Sequence, residues 1–487
     1  FDKRQSKLGA SYAVMTREHM VPVHQKFAKY MSFWRSNNRL SKLMSAVLSQ
    51  PPDLINMTNE LANVTGKGIF DGHMETFSRM LTTHGDQAKD IISSLGTLGD
   101  GFNMSNFNRF DVGDNLNAKW NGLVQKGFDY TGMTALTDKM KGAFSYALNA
   151  HIGESFTKSF DDLPLGTKEV LRQYGNIDAS RWEILKQTQT EKVGDEIHFN
   201  LDRIRDIPDI AFMGQMSEKV RLAKKDLPFK EWDAMFTREA KDLKKQLEVD
   251  MRTFFVEETR NAVLEPDVKT QRHATGGGLR AGTPVGEAMR MITQFKSFPM
   301  TYFNRTVKGQ RWRGQGEQAL GGGLAHHAAA SILMGYVSMA AKDFVKGKAP
   351  RDVELKTIPA AIVQSGGLGI FGDLLFGEQN RMGGGMWETV LGPSAGTISK
   401  TVGIAAEAVQ SGFSDDVEFD VGSDIISLIQ SNTPFAGSAW YLKAPLDYAV
   451  WYHLREAASP GSIRRMERNV KKKQGQTYFY SPTQAVR

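Results

Sequence analysis

Six cations lie between Ala288 and Gln315 with no acidic residue among them: Arg290, Lys296, Arg305, Lys308, Arg311 and Arg313. Phe295, Phe298, Tyr302, Phe303 and Trp312 are interleaved with them. Cations pair with phosphate, and rings stack on bases or settle among lipid headgroups. The segment is therefore a candidate contact for nucleic-acid backbone or for anionic lipid. The competing reading is a solvated cationic face whose aromatics belong to the core. Because Pro299 breaks a helix that would bury Phe295, Phe298 and Tyr302, the arginines beyond it are expected to be more exposed than Lys296. A second cluster, Arg464, Arg465, Arg468, Lys471, Lys472 and Lys473, stands against Glu467 alone. A charge run of that kind ordinarily marks a solvated helix.

Other chemistry is sparse. The chain has no cysteine, which excludes disulfides, thiolate zinc sites, iron–sulfur clusters and a cysteine nucleophile. No His-Glu-x-x-His and no calcium-loop spacing occurs. His73 and His84 lack a third metal ligand, and His326 and His327, adjacent on a helix, diverge by about 100°. Glu154-Ser155 is similar to the catalytic Glu-Ser pair of lytic transglycosylases, but the Gly-Leu-Met-Gln-like element that accompanies it there is missing. The glycine-rich stretch His273 to Thr283 lacks the lysine and the preceding strand of a P-loop, so it reads as a linker. No metal or cofactor is expected.

The elements that must position these residues are mostly helical. Lysine plus arginine exceeds acids by 61 to 54 in 487 residues, and 40% of the chain is hydrophobic, which suits a globular protein of several units. Phe27, Tyr30, Met31, Trp34, Leu40, Met44 and Leu48 suggest one amphipathic helix, and Met74, Phe77, Met80 and Leu81 another. The asparagine-rich stretch Asn103 to Asn117 reads as a loop. Ser180-Arg181-Trp182-Glu183 fits a capping box, and alternation around Gly194-Asp195 predicts a hairpin near 191–200. Leu243, Leu247, Met251, Phe254 and Phe255 form one stripe of a helix over 215–265, ended by Pro266.

From Gln318 to Ala341 there is no Asp, Glu, Lys or Arg over 24 residues, long enough to cross a bilayer. Ala328, Ser331, Gly335 and Ser338 recur every three or four positions, a small-residue face for close helix packing. Softer apolar segments follow at 357–372, 386–408 and 425–442. Buried core helices of a Gly/Ala-rich domain would show the same composition. The expected fold is thus mainly α, an elongated multi-helix protein with at most one small hairpin. Its expected regions are a helical 1–160, a helical 161–266 with the hairpin, the Gly-rich and basic 267–317, and a Gly/Ala-rich, potentially membrane-active 318–487.

An ordered string of motifs adds a resemblance. Phe255-Val256-Glu257-Glu258-Thr259-Arg260-Asn261-Ala262-Val263-Leu264 leads to Gly282-Thr283-Pro284-Val285-Gly286-Glu287-Ala288 and Gln294-Phe295-Lys296-Ser297-Phe298-Pro299. Tyr174-Gly175-Asn176-Ile177 precedes them. Gly366-Gly367-Leu368-Gly369-Ile370-Phe371-Gly372-Asp373, Asn432-Thr433-Pro434-Phe435, Ala444-Pro445-Leu446-Asp447-Tyr448 and Ser459-Pro460-Gly461 follow. From about residue 160 onward the chain resembles the C-terminal region of the large internal virion, or DNA ejection, proteins of short-tailed bacteriophages. The resemblance implies a protein held inside the capsid near the portal and expelled to help form a conduit for DNA across the host envelope. A ring-like homo-oligomer is expected with it, because helices with small-residue faces bury poorly alone and a portal axis imposes cyclic symmetry. The expected partners are other ejection proteins, the portal, phage DNA and the host membrane. No catalytic residue is carried over, since the family's murein-cleaving domain lies far upstream. A peptidoglycan-degrading virion enzyme and a membrane-permeabilising protein are the alternatives.

Overall fold

The structure, a computed structural model, describes residues 7–67, 86–97, 117–307, 324–355, 357–365, 393–411, 420–436 and 438–487. It is mainly α-helical. Helices α1 (Lys7–Met15), α2 (Gln25–Lys42), α3 (Pro51–Thr65), α4 (Asp86–Ser94), α5 (Ala118–Tyr130) and α6 (Met133–Ser155) open the chain. After α7 (Leu165–Gly175) and α8 (Ala179–Leu185) come the strands β1 (Thr190–Val193) and β2 (Glu196–Phe199). These pair antiparallel, Thr190 opposite Phe199, around Gly194 in the left-handed conformation that a tight turn needs. The expected hairpin is therefore present, and among the described residues it is the one sheet.

Helix α9 (Glu218–Asp226) precedes α10 (Phe229–Ala262), the 34-residue spine of the larger core. Leu247, Met251, Phe254 and Phe255 of the expected stripe are buried. They pack with Trp182, Phe199, Phe144 and Ile152. Gly153 lets α6 lie directly on β2: a Cβ there would stand 2.2 Å from the Ile197 carbonyl oxygen. Helix α8 begins differently from expectation. Asp178, not Ser180, caps it by accepting from Arg181 N at 2.8 Å, and Glu183 pairs with Lys186 instead of reaching back.

Then come α11 (Val268–Ala274), α12 (Pro284–Thr293), α13 (Ser297–Thr301) with a π-helical continuation Tyr302–Val307, α14 (Leu324–Val345) and α15 (Ile358–Gln364). The chain ends with α16 (Pro393–Ser411), α17 (Val421–Asn432), α18 (Trp440–Leu446), α19 (Tyr452–Ala458), α20 (Ser462–Gln474) and α21 (Pro482–Ala485). A second core gathers Leu40, Met44, Phe128, Met133, Leu264, Phe295, Phe298 and Ala439, residues from distant parts of the chain.

Helix α2 departs from the expected stripe. Tyr30 is exposed, and the buried residues are Ala28, Ser32, Arg35, Ser36, Asn38, Arg39, Leu40 and Ser41. Buried polar groups need partners, and most of these find them in α5, in and just after α12, in α16 and at the end of α17, while Ser32 Oγ and Asn38 Oδ1 have none. The motifs around His73, His84 and Met74 to Leu81, and all but the last residue of the asparagine-rich stretch, lie outside the described residues.

Candidate nucleic-acid or membrane interface

Of the basic segment, Arg290, Lys296 and Arg305 are described; Lys308, Arg311 and Arg313 lie outside the described residues. Arg290, on α12, is 5% exposed and donates to the carbonyls of His19 (3.1 Å), Leu279 (2.9 Å) and Gly286 (3.3 Å). It fastens the glycine-rich turn to the segment after α1. That turn is more than a linker. Gly276, Gly277, Gly278 and Gly282 all take positive φ, Ala281 N donates to His19 O at 2.9 Å, and Val23 N donates to Ala281 O at 2.9 Å. Helix α1 packs on α11 behind it.

Arg305 is also turned inward, with its side chain 10% exposed. Its guanidinium donates to Asn261 Oδ1 at 2.5 Å and lies 3.5 Å from Glu257 Oε2. Next to it, Thr306 donates to Asn56 Oδ1 at 2.7 Å, and Asn56 donates to the carbonyls of Asn261 and Ala262 at 3.0 and 2.7 Å. The expected exposure of cations past Pro299 therefore does not extend to Arg305, because the polar end of α10 offers it better-ordered partners than water does. Lys296 is half-buried, and burial holds its ammonium below the usual lysine range. Phe295 and Phe298 are buried in the core, whereas Phe303 is 53% exposed.

Glu258 lies beneath this joint, fully buried. Burial pushes its carboxyl up to about 8; the hydrogen bond from Asn261 Nδ2 (3.0 Å) and the Arg305 charge oppose the rise, and Glu257 adds to it. A second joint was not expected. Arg35 of α2 pairs with Glu287 of α12, the two side chains 1% and 0% exposed. Glu287 also accepts from Gly282 N at 2.6 Å. Asn38 donates to Gln294 Oε1 (3.1 Å) and Ser394 Oγ (2.9 Å), and Gln294 donates to Arg35 O (2.9 Å). The signal for it was present: Arg35, Asn38 and Arg39 recur at helical spacing without an acid beside them, so their partners had to come from afar.

The small-residue face is largely where its spacing places it. Ser331, Gly335 and Ser338 are buried on α14, while Ala328 is exposed. This face packs on α15 and α3, and a Cβ at Gly335 would stand 2.2 Å from the Ala361 carbonyl oxygen. The hydroxyls of Ser331 and Ser338 are buried without a hydrogen-bond partner. Large apolar side chains point the other way: Leu333, Val337 and Phe344 are 61%, 44% and 65% exposed. Within α14, His326–Val345 is long and apolar enough to cross a membrane by length and composition, with mean hydropathy 1.2 and 33% of its apolar window buried. His327 is buried against Tyr302, whose hydroxyl is 3.2 Å from its Nε2, and His326 is exposed, so the two rings diverge as their adjacency demands.

No protein-family model, curated protein or solved structure matches the chain. Among the described residues no group of three His, Asp or Glu side chains could hold a metal. Glu154 is exposed at the end of α6, and Ser155 donates back to His151 O at 2.7 Å.

Proposed function

We propose that this chain is an internal virion protein of a short-tailed bacteriophage, expelled with the genome to help form a conduit for DNA across the host envelope. The resemblance of residues from about 160 onward suggests the role, and α14 is the observation that carries it. Water-soluble helices turn large apolar residues inward and small or polar ones outward. Helix α14 has largely the reverse arrangement: Ser331, Gly335 and Ser338 face protein, and Leu333, Val337 and Phe344 face out, although Met339 is buried with the small residues. Membrane bundles are built that way, because lipid gives apolar side chains no reason to hide and small faces let backbones approach. Ile358 and Ile362 of α15 extend the outward apolar surface. In the virion this surface would be covered by other copies in a ring or by partner ejection proteins, and after ejection by the host membrane.

The full chain is expected to float with liposomes, and Leu333→Asp/Val337→Asp/Phe344→Asp to stay in the dense fraction with an unchanged circular dichroism spectrum. Equal flotation of both proteins, or of neither, removes the membrane role. Mass spectrometry of purified phage particles should find the chain; its absence removes the virion role.

A further inference from the structure

Helix α20 holds the second basic cluster, and the fold sorts its charges by side. Ile463 and Val470 are buried and define the inward face of this 13-residue helix. Arg464, Arg468, Lys471 and Lys472, at i, i+4, i+7 and i+8, are all exposed and share the opposite face. The neighbouring carboxylates are engaged elsewhere. Asp420 holds Arg465, with Nε to Oδ2 at 3.1 Å. Glu467 accepts from Ser481 Oγ at 2.8 Å and Thr483 N at 3.3 Å. Glu456 accepts from the amides of Gly461 at 2.6 Å and Ile463 at 3.1 Å. Among the described residues, none of the four outward cations has an ion pair, whereas Arg465 does. A solvated helix laced with ion pairs alternates charges of both signs along its outer face, whereas a block of like charge without such pairs suits an anionic partner. This one presents a single sign over about 12 Å of axis.

We propose that α20 is a duplex-DNA contact, with Arg464, Arg468, Lys471 and Lys472 lying along the phosphate backbone. Each strand of a duplex carries one charge per ~3.4 Å of axis, so about four phosphates of one strand lie along that length, about one for each cation. Lipid is the poorer partner: the apolar side of α20 is already packed in protein, and no exposed apolar residue between the cations could enter a bilayer. A single strand is poorer too, since the cationic face has no ring for a base to stack on. The proposal deepens the reading above by placing its DNA contact on α20, and rests on that reading only for where the DNA comes from.

The test is the salt dependence of the full chain binding a short duplex, followed by fluorescence anisotropy. Changing Arg464, Arg468, Lys471 and Lys472 together to Gln should flatten the log–log salt slope by about 3–4 units. A control that removes the same charge from exposed positions of α10, with Lys230, Arg238, Lys241 and Lys245 changed to Gln, should flatten it by less than one unit. Equal flattening by the two variants, which would mean net charge alone, overturns the proposal. So does an unchanged slope in the α20 variant, or no binding by the parent. If vesicles rich in phosphatidylglycerol bind the parent and lose the α20 variant while the DNA slope stays, the face belongs to a membrane and the proposal falls. Should the fourfold variant fail to fold, Arg464→Gln and Lys472→Gln singly should each remove about 0.9 unit, and no change in either overturns it. A chain missing from virions but with the α20 slope intact would sink the phage role and leave this contact standing.

Discussion

Glu258 ties the stability of the fold to pH through one buried carboxyl. Its folded carboxyl titrates at about 8 against an ordinary 4.5, mainly because burial disfavours the charge. The folded state therefore keeps a proton that the unfolded chain releases above about 4.5. The contribution to stability is complete below that value, declines as pH rises towards about 8, and is flat beyond. Glu258→Gln keeps the shape and the Asn261 contact but cannot ionise. Its melting temperature should match the parent's near pH 4.5 and exceed it at pH 8.5 by several degrees. Melting curves that shift in parallel across that range would show that Glu258 does not titrate as described. Sequence alone points to Glu257 and Glu258 as two acids on a charged helix; only the approach of α3 and the π-helical turn makes one of them buried.

Among the elements, α14 was the most legible and α2 the least. Spacing of small residues every three or four positions is a local property, so the packing face of α14 could be read directly. At Gly335 the fit to α15 is tight enough to test. Gly335→Val would drive side-chain atoms into the Ala361 carbonyl and should cost about 1–3 kcal/mol, measured by chemical denaturation. Ala328→Val, on the exposed side of the same helix, should stay within about 0.5 kcal/mol of the parent. Similar losses at the two positions would mean that the helix does not pack by that face. Helix α2 was misread because hydrophobic periodicity assumes that the buried face is apolar. Its buried face is polar, and its partners lie far along the chain, about 85 positions away in α5 and more than 250 positions away in and after α12 and in α16. The start of α8 was misread for a smaller reason: Asp178 and Ser180 both suit an N-cap, and only the backbone path decides which one the amides face.

At the scale of the molecule, the four consecutive regions suggested by composition interlock. Trp34 donates to Ser394 Oγ at 3.1 Å, Asn37 to Asn432 O at 3.1 Å, and Phe435 N to Leu40 O at 3.1 Å. The Arg35–Glu287 pair sits at this junction, so its loss should loosen the first region from the later ones. Arg35→Met leaves a buried carboxylate uncompensated and should cost about 3–5 kcal/mol, whereas Arg35→Met/Glu287→Met should recover most of that. If the double variant is as unstable as the single, Glu287 matters for its bond to Gly282 N more than for its charge partner. Limited proteolysis after Arg35→Met should cut first within residues 7–24, the segment clasped by the glycine-rich turn.

The amino-acid sequence by itself determined the helical class, the hairpin at Gly194, the stripe of α10, the close-packing face of α14 and the divergence of His326 from His327. All of these follow from periods of two or 3.6 residues and from local turn chemistry. Tertiary structure alone decided which cations face solvent. Arg290 and Arg305 sit in the acid-free basic segment, yet carbonyl and amide oxygens from the chain after α1, the glycine-rich turn and α10 draw them inward. Arg464, Arg468, Lys471 and Lys472 of α20 stay outside because their neighbouring acids are engaged in caps and bridges. A count of charges along the chain registers neither fact, since the free energy of a buried cation depends on partners that only folding brings within hydrogen-bonding distance.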